Sequence, residues 1–234
     1  MMDTWIELAR GPLFRISLAI LVLGLGYRFT VAMAQIVASW RRAGDRAIPA
    51  AAVAKATLGW IFPRRALRAR PFYSAASILF HVGILVVPPF LLGHVALLGG
   101  WLPAGWPTLG PAAADTLTIA GILALGFVLA GRIATRSARA LSRFQDVAVV
   151  AVLFLVMLFG FLGAHPALSP FDARAMVLLH MLLGNLALIL TPTTKIAHCV
   201  LYPLTQLIFQ LGWHFPAESG RHVMVALGKE NEPV

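Results

Sequence analysis

Long apolar runs, each about the length needed to cross a bilayer, dominate this chain: about 14–40, 74–99, 113–132, 146–164 and 174–201, joined by short polar connections. A helix rises 1.5 Å per residue, so about 20 apolar residues traverse a ~30 Å hydrocarbon layer. The sequence therefore predicts an all-α, polytopic membrane protein, a bundle of five transmembrane helices. Composition agrees, with 59% of the 234 residues hydrophobic and only 12% charged, about half the charged share of an ordinary soluble domain. A soluble globular enzyme, a disordered chain and a disulfide-stapled secreted module are excluded. The one cysteine, Cys199, permits no internal disulfide, cysteine-ligated cluster or cysteine-built zinc site.

A net charge of +10 would suit nucleic acid if it were spread over a soluble surface, but it is confined to two connections. The stretch from Arg41 to Arg70 holds Arg41, Arg42, Arg46, Lys55, Arg64, Arg65, Arg68 and Arg70 against Asp45. The next connection on that side holds Arg132, Arg136, Arg139 and Arg143. From Gly99 to Asp115, and from Gly163 to Asp172, there is no Lys or Arg. Basic loops stay in the cytoplasm, so the expected topology puts the N-terminus outside and the C-terminus inside, in the cell's inner (cytoplasmic) membrane, with no role for nucleic acid. Asp3 and Glu7 in the leader, and the length of the first run, argue against a cleaved signal. Residues 1–203 form the expected membrane domain. Residues 204–234 form a cytoplasmic interfacial segment, apolar from Leu204 to Trp213, and a polar tail. A short interfacial helix is expected around Ile48 to Ala56. Trp101 and Trp106, among turn-forming residues, suit interfacial anchoring.

Four histidines fall inside the apolar runs: His81 and His94 in the second, His180 and His198 in the fifth. Ionisable groups at such depth usually face a bundle interior and mark a pathway or a cofactor. The two runs cross in opposite directions, which sets His81 with His198 near the inner face and His94 with His180 near the outer one. Imidazoles from facing helices are natural axial ligands for a low-spin haem. On an ideal helix His180 and His198 share one face, about 27 Å apart, whereas His81 and His94 differ in phase by roughly 220°. Pro88-Pro89 between the latter can change that phase.

Other residues admit a cofactor role beside a plainer one. Gly93 and Gly184 give room for a porphyrin or for close helix packing. Ser77 and Asn185 orient imidazoles or bond within and between helices. Arg28 and Lys195 pair with haem propionates, or Lys195 snorkels to headgroups. His165 belongs to a quinone site or to the interface. His214 and His222 read as surface residues and Cys199 as a packed thiol. A non-redox transporter or scaffold with a histidine proton pathway is the alternative from another class.

Ser77-Ile-Leu-Phe-His81-Val-Gly-Ile-Leu resembles the second helix of respiratory nitrate reductase gamma subunits. The positions His180, Pro192, Lys195, His198 and Pro203 reproduce the spacing of their fifth, and Gly26-Tyr27-Arg28-Phe29 adds a first-helix match, so the likeness covers roughly residues 14–203. It implies a membrane cytochrome b with two haem b groups, held by His81 with His198 and by His94 with His180. Such a subunit passes electrons between the quinone pool, as quinol or quinone, and a cytoplasmic iron-sulfur subunit of a respiratory oxidoreductase complex, without turning over the terminal substrate itself. The same cytochrome type serves heterodisulfide reductase-like complexes and complexes linked to dissimilatory sulfite reduction. This chain differs from the nitrate reductase pattern in its wider second-helix histidine spacing and the inserted Pro88-Pro89, and it lacks an outer-boundary lysine.

Overall fold

The structure is a computed structural model that describes residues 1–42, 50–61, 64–212 and 219–231. In chain order it comprises α1 (Met2–Leu8), α2 (Phe14–Arg42), α3 (Ala50–Ile61), α4 (Arg64–Ala69), α5 (Pro71–Phe90) and α6 (Leu92–Leu98). There follow α7 (Pro111–Ala134), α8 (Arg136–Leu141), α9 (Phe144–Ala164), α10 (Ala173–Thr193), α11 (His198–Gly212) and α12 (Ser219–Ala226). No strand occurs among the described residues. Arg46, Ile48, Trp213 and His214 lie outside them.

Five helices are long and apolar enough to cross a membrane: Met2–Arg42, Pro71–Phe90, Pro111–Ala134, Phe144–Ala164 and Ala173–Thr193. Their apolar side chains point outward as well as inward, with Leu23 73%, Leu123 68% and Leu85 53% exposed. Helices apolar on every side suit a hydrocarbon solvent. The chain is thus a helical, multi-pass membrane protein.

Two compact units are present, Met1–Leu21 with Arg64–Thr194, and Val22–Pro63 with Lys195–Val234. In the first, α5 packs on α7, α7 on α9 and α9 on α10. Gly83 and Gly121 make the α5/α7 crossing close. A Cβ on Gly83 would stand 3.0 Å from the Leu117 carbonyl oxygen, and one on Gly121 would stand 2.5 Å from Met157 Cε of α9. Small residues let backbones approach where lipid gives no hydrophobic drive to associate. At α10, the Asp172 carboxylate caps the helix by accepting from Ala175 N (2.9 Å), and Arg174 pairs with Asp3 (3.2 Å).

A π-helical turn, Ala9–Leu13, joins α1 to α2 and contains Pro12, whose missing N–H cannot serve the regular ladder. The buried Asn185 amide donates to the Ala9 and Met181 carbonyls, both at 2.9 Å. It binds α10 to the π turn and does not orient His180. In the second unit α3 packs against α11, and Pro203 lies within α11, whose helix continues through Tyr202-Pro203 to Gly212.

Two long runs expected to be single helices are broken. The second ends at Phe90, with Leu91 extended (φ −75°, ψ 127°) before α6. The fifth ends at Thr193, with Thr194 extended (φ −119°, ψ −174°) before a 3-10 turn at Lys195–Ala197 and then α11. His180 and His198 therefore do not share one continuous helix face. Each break falls two residues after a proline, Pro89 or Pro192, where the ladder has lost a donor. At the second, the Thr191 hydroxyl turns back to the Ala187 carbonyl (2.7 Å) and that of Thr193 to Leu190 (3.2 Å), back-bonding that bends helices.

Candidate functional site

A helix leaves its last four carbonyls without helical donors, and at the end of α5 all four are taken up. Leu91 N donates to the Val87 carbonyl (2.8 Å) and Leu109 N to that of Phe90 (2.8 Å). The Trp106 indole donates to Pro89 (2.8 Å), and the His94 Nδ1 meets Pro88 (3.2 Å). Phe90 and Trp106 stack at 6.0 Å. Trp106 thus fastens the 102–110 connection across the helix break, a structural task beyond the interfacial anchoring expected of it.

The break resets the phase of the chain and brings His94 to His180. Their ring centroids lie 5.7 Å apart with planes 5° from parallel. His180 Nδ1 meets the Val156 carbonyl of α9 at 2.8 Å, and Gly160 makes that approach possible, because a Cβ there would stand 2.7 Å from Nδ1 and 2.9 Å from Cε1. Gly163 does the same one turn on, where a Cβ would stand 2.8 Å from Val177 Cγ2. Sequence reasoning passed over Gly160 and Gly163. Their three-residue spacing, placing both on one helix face, was the available signal.

Each proposed ligand turns Nδ1 toward a backbone carbonyl. His81 Nδ1 meets Ser77 O at 2.6 Å, and His198 Nδ1 meets Lys195 O. The Ser77 contribution is its carbonyl rather than its hydroxyl. Engaging Nδ1 as N–H selects the tautomer whose Nε2 lone pair can bind a metal, the usual arrangement behind a metal-ligating histidine. The His94 and His180 rings stack with their centroids 5.7 Å apart, which sets two imidazoles of metal-ligating type side by side. A Cβ on Gly93 or Gly184 would meet nothing within 4 Å, which leaves open flanks and no close packing at either glycine.

His81, half-buried and stacked on Phe80 at 4.1 Å, belongs to the first compact unit. His198, Lys195 and Arg28 belong to the second, all exposed. Cys199 is exposed too, its sulfur 3.8 Å from His198 Nε2, and is not the packed thiol expected. His222 is exposed, as read from the sequence. His165 sits in the first unit, where its Nε2 meets Asp115 Oδ2 at 3.2 Å, a partner the sequence did not suggest.

Fold and site define a multi-pass helical membrane protein with a preset histidine pair between two of its helical elements. The chain belongs to the same family as a protein of Nitratidesulfovibrio vulgaris (strain Hildenborough), with which it is 33% identical over 168 residues, 71% of this chain and 72% of the relative. That relative's name states no activity. No family model and no solved structure matches the chain.

Proposed function

We propose that this protein is a membrane cytochrome b subunit that carries electrons between the quinone pool and a cytoplasmic iron-sulfur subunit of a respiratory oxidoreductase complex. The observation that carries the reading is the His94–His180 pair, two near-parallel imidazoles 5.7 Å apart with each Nδ1 turned to a carbonyl. Bound there, haem b supplies one-electron chemistry at a potential set by its axial ligands and their hydrogen bonds. His94 and His180 hold one haem and His81 and His198 the other, with Arg28 and Lys195 as propionate partners and Gly184 leaving room for the porphyrin. Val156 and Gly160 fix the His180 ring, and the Pro88 carbonyl fixes that of His94.

By the positive-inside rule, the Arg41–Arg70 and Arg132–Arg143 connections face the cytoplasm, the N-terminus lies outside and the membrane is the cytoplasmic one. The His94–His180 pair then lies toward the outer face, where quinol reacts. Dithionite-reduced minus oxidised spectra and a pyridine haemochrome assay on the purified protein test the reading, with two haems b per chain expected. A folded, haem-free preparation would overturn it and favour the histidine proton pathway of a transporter.

A further inference from the structure

At the end of the bundle where α7 begins and α9 ends, two titratable groups from different helices meet. Asp115 lies in the second turn of α7, and His165 caps α9 with φ −122° and ψ 71°. His165 Nε2 is 3.2 Å from Asp115 Oδ2, Nδ1 is 3.0 Å from the Phe161 carbonyl, and the ring stacks on Phe161 at 4.3 Å. Both ring nitrogens therefore face acceptors. A neutral imidazole beside an ionised carboxylate has one N–H for two acceptors, so the pair is fully hydrogen-bonded only when it holds one further proton, on Nε2 or on Oδ2. The side chains are 30% and 43% exposed, so the proton can exchange with water.

We propose that Asp115 and His165 form a proton-exchange site that receives the protons of a quinol oxidised at this end of the bundle and passes them to the outer water. This rests on the cytochrome reading above. His180 meets α9 at Val156, nine residues before His165, about 13 Å along a helix axis, so the dyad lies on the water side of the histidine pair. Each quinol oxidised to quinone gives up two electrons and two protons. The electrons leave by the redox groups, and the protons leave one at a time, each completing the Asp115–His165 pair before release to water. Of the other charged groups at this end, Asp172 caps α10, Arg174 pairs with Asp3 and Glu7 pairs with Arg10, while the exposed Arg15 stands in the first turn of α2 and the Met1 amine begins the chain. On the adjoining α6, His94 is turned to the Pro88 carbonyl.

The test uses the full chain in lipid nanodiscs, with Asp115→Asn and His165→Gln as variants and Asp115→Glu as the rescue. Infrared spectra in H2O and D2O read the shared proton itself, and its isotope-sensitive band is expected in the wild type and the Glu variant and absent from the other two. Stopped-flow reduction by duroquinol is expected to slow about tenfold or more in Asp115→Asn and His165→Gln and to lose its pH dependence, while dithionite still reduces both haems. Wild-type infrared spectra, or wild-type duroquinol rates and pH profile in those two variants, would overturn the proposal alone. A wild-type protein that folds without haem would instead overturn the cytochrome reading.

Discussion

The imidazole of His180 is held by what α9 lacks. With a Cβ at Gly160 due to stand 2.7 Å from Nδ1, Gly160→Ala must push the ring off the Val156 carbonyl. The variant is expected to lose one of the two haems, read as a halved haemochrome yield per protein. Gly131→Ala, where a Cβ meets nothing within 4 Å, should keep both. His198→Ala is expected to remove the other haem and leave the His94–His180 haem spectrum in place. The four histidines were legible in the sequence because ionisable groups stand out in apolar runs. Gly160, Val156 and Asp115 were not, because their significance depends on which face of a neighbouring helix they meet, and a single helix's pattern does not carry that register.

At the scale of elements, the sequence showed five apolar spans and the prolines that disturb two of them, but not where the helices stop. Proline removes a donor and crowds the preceding turn, yet Pro88, Pro89 and Pro192 all remain helical. The breaks come later, at Leu91 and Thr194, and at the first of them the carbonyls left open by the helix end meet donors from further along the chain. In the first case those donors are His94, Trp106 and Leu109, contributed by residues beyond the apolar helix end. Replacing Pro88 and Pro89 together by Ala restores the donors of a continuous helix and is expected to carry His94 away from His180. Loss of that haem with retention of the second would be seen in low-temperature reduced spectra. Trp106→Phe keeps the stacking on Phe90 but leaves the Pro89 carbonyl without its indole donor. The bond is part-buried, and losing such a hydrogen bond costs about 0.5–1.5 kcal/mol net, so a lower thermal midpoint is expected, read by loss of haem absorbance on heating.

For the whole molecule, the asymmetry of charge carries two expectations. The first is topology: in a Cys199→Ser background, a cysteine placed at Ala104 should react with an impermeant maleimide from outside intact cells, and one at Ala140 only after permeabilisation. The second is docking. Arg139 is partly occupied with structure, its guanidinium donating to the Ile133 and Ala134 carbonyls at the end of α7, whereas the exposed Arg64 and Arg68 stand along α4. Reversing Arg64, Arg65 and Arg68 to Glu is expected to release the iron-sulfur subunit on co-purification at moderate salt while both haems stay bound. Retention unchanged would place the docking surface elsewhere.

The way α5 is closed off also sets an order of assembly. Every group that finishes its end, from Leu91 to Leu109, lies within the next two dozen residues of the chain, so the first imidazole of the pair can be set in place before α7 is made. Its counterpart is fixed only when α9 and α10 have both been inserted, since His180 takes its bearing from Val156 and Gly160. Between those moments the nascent protein carries a prearranged half-site, and the pair is complete only with the last of the spanning helices.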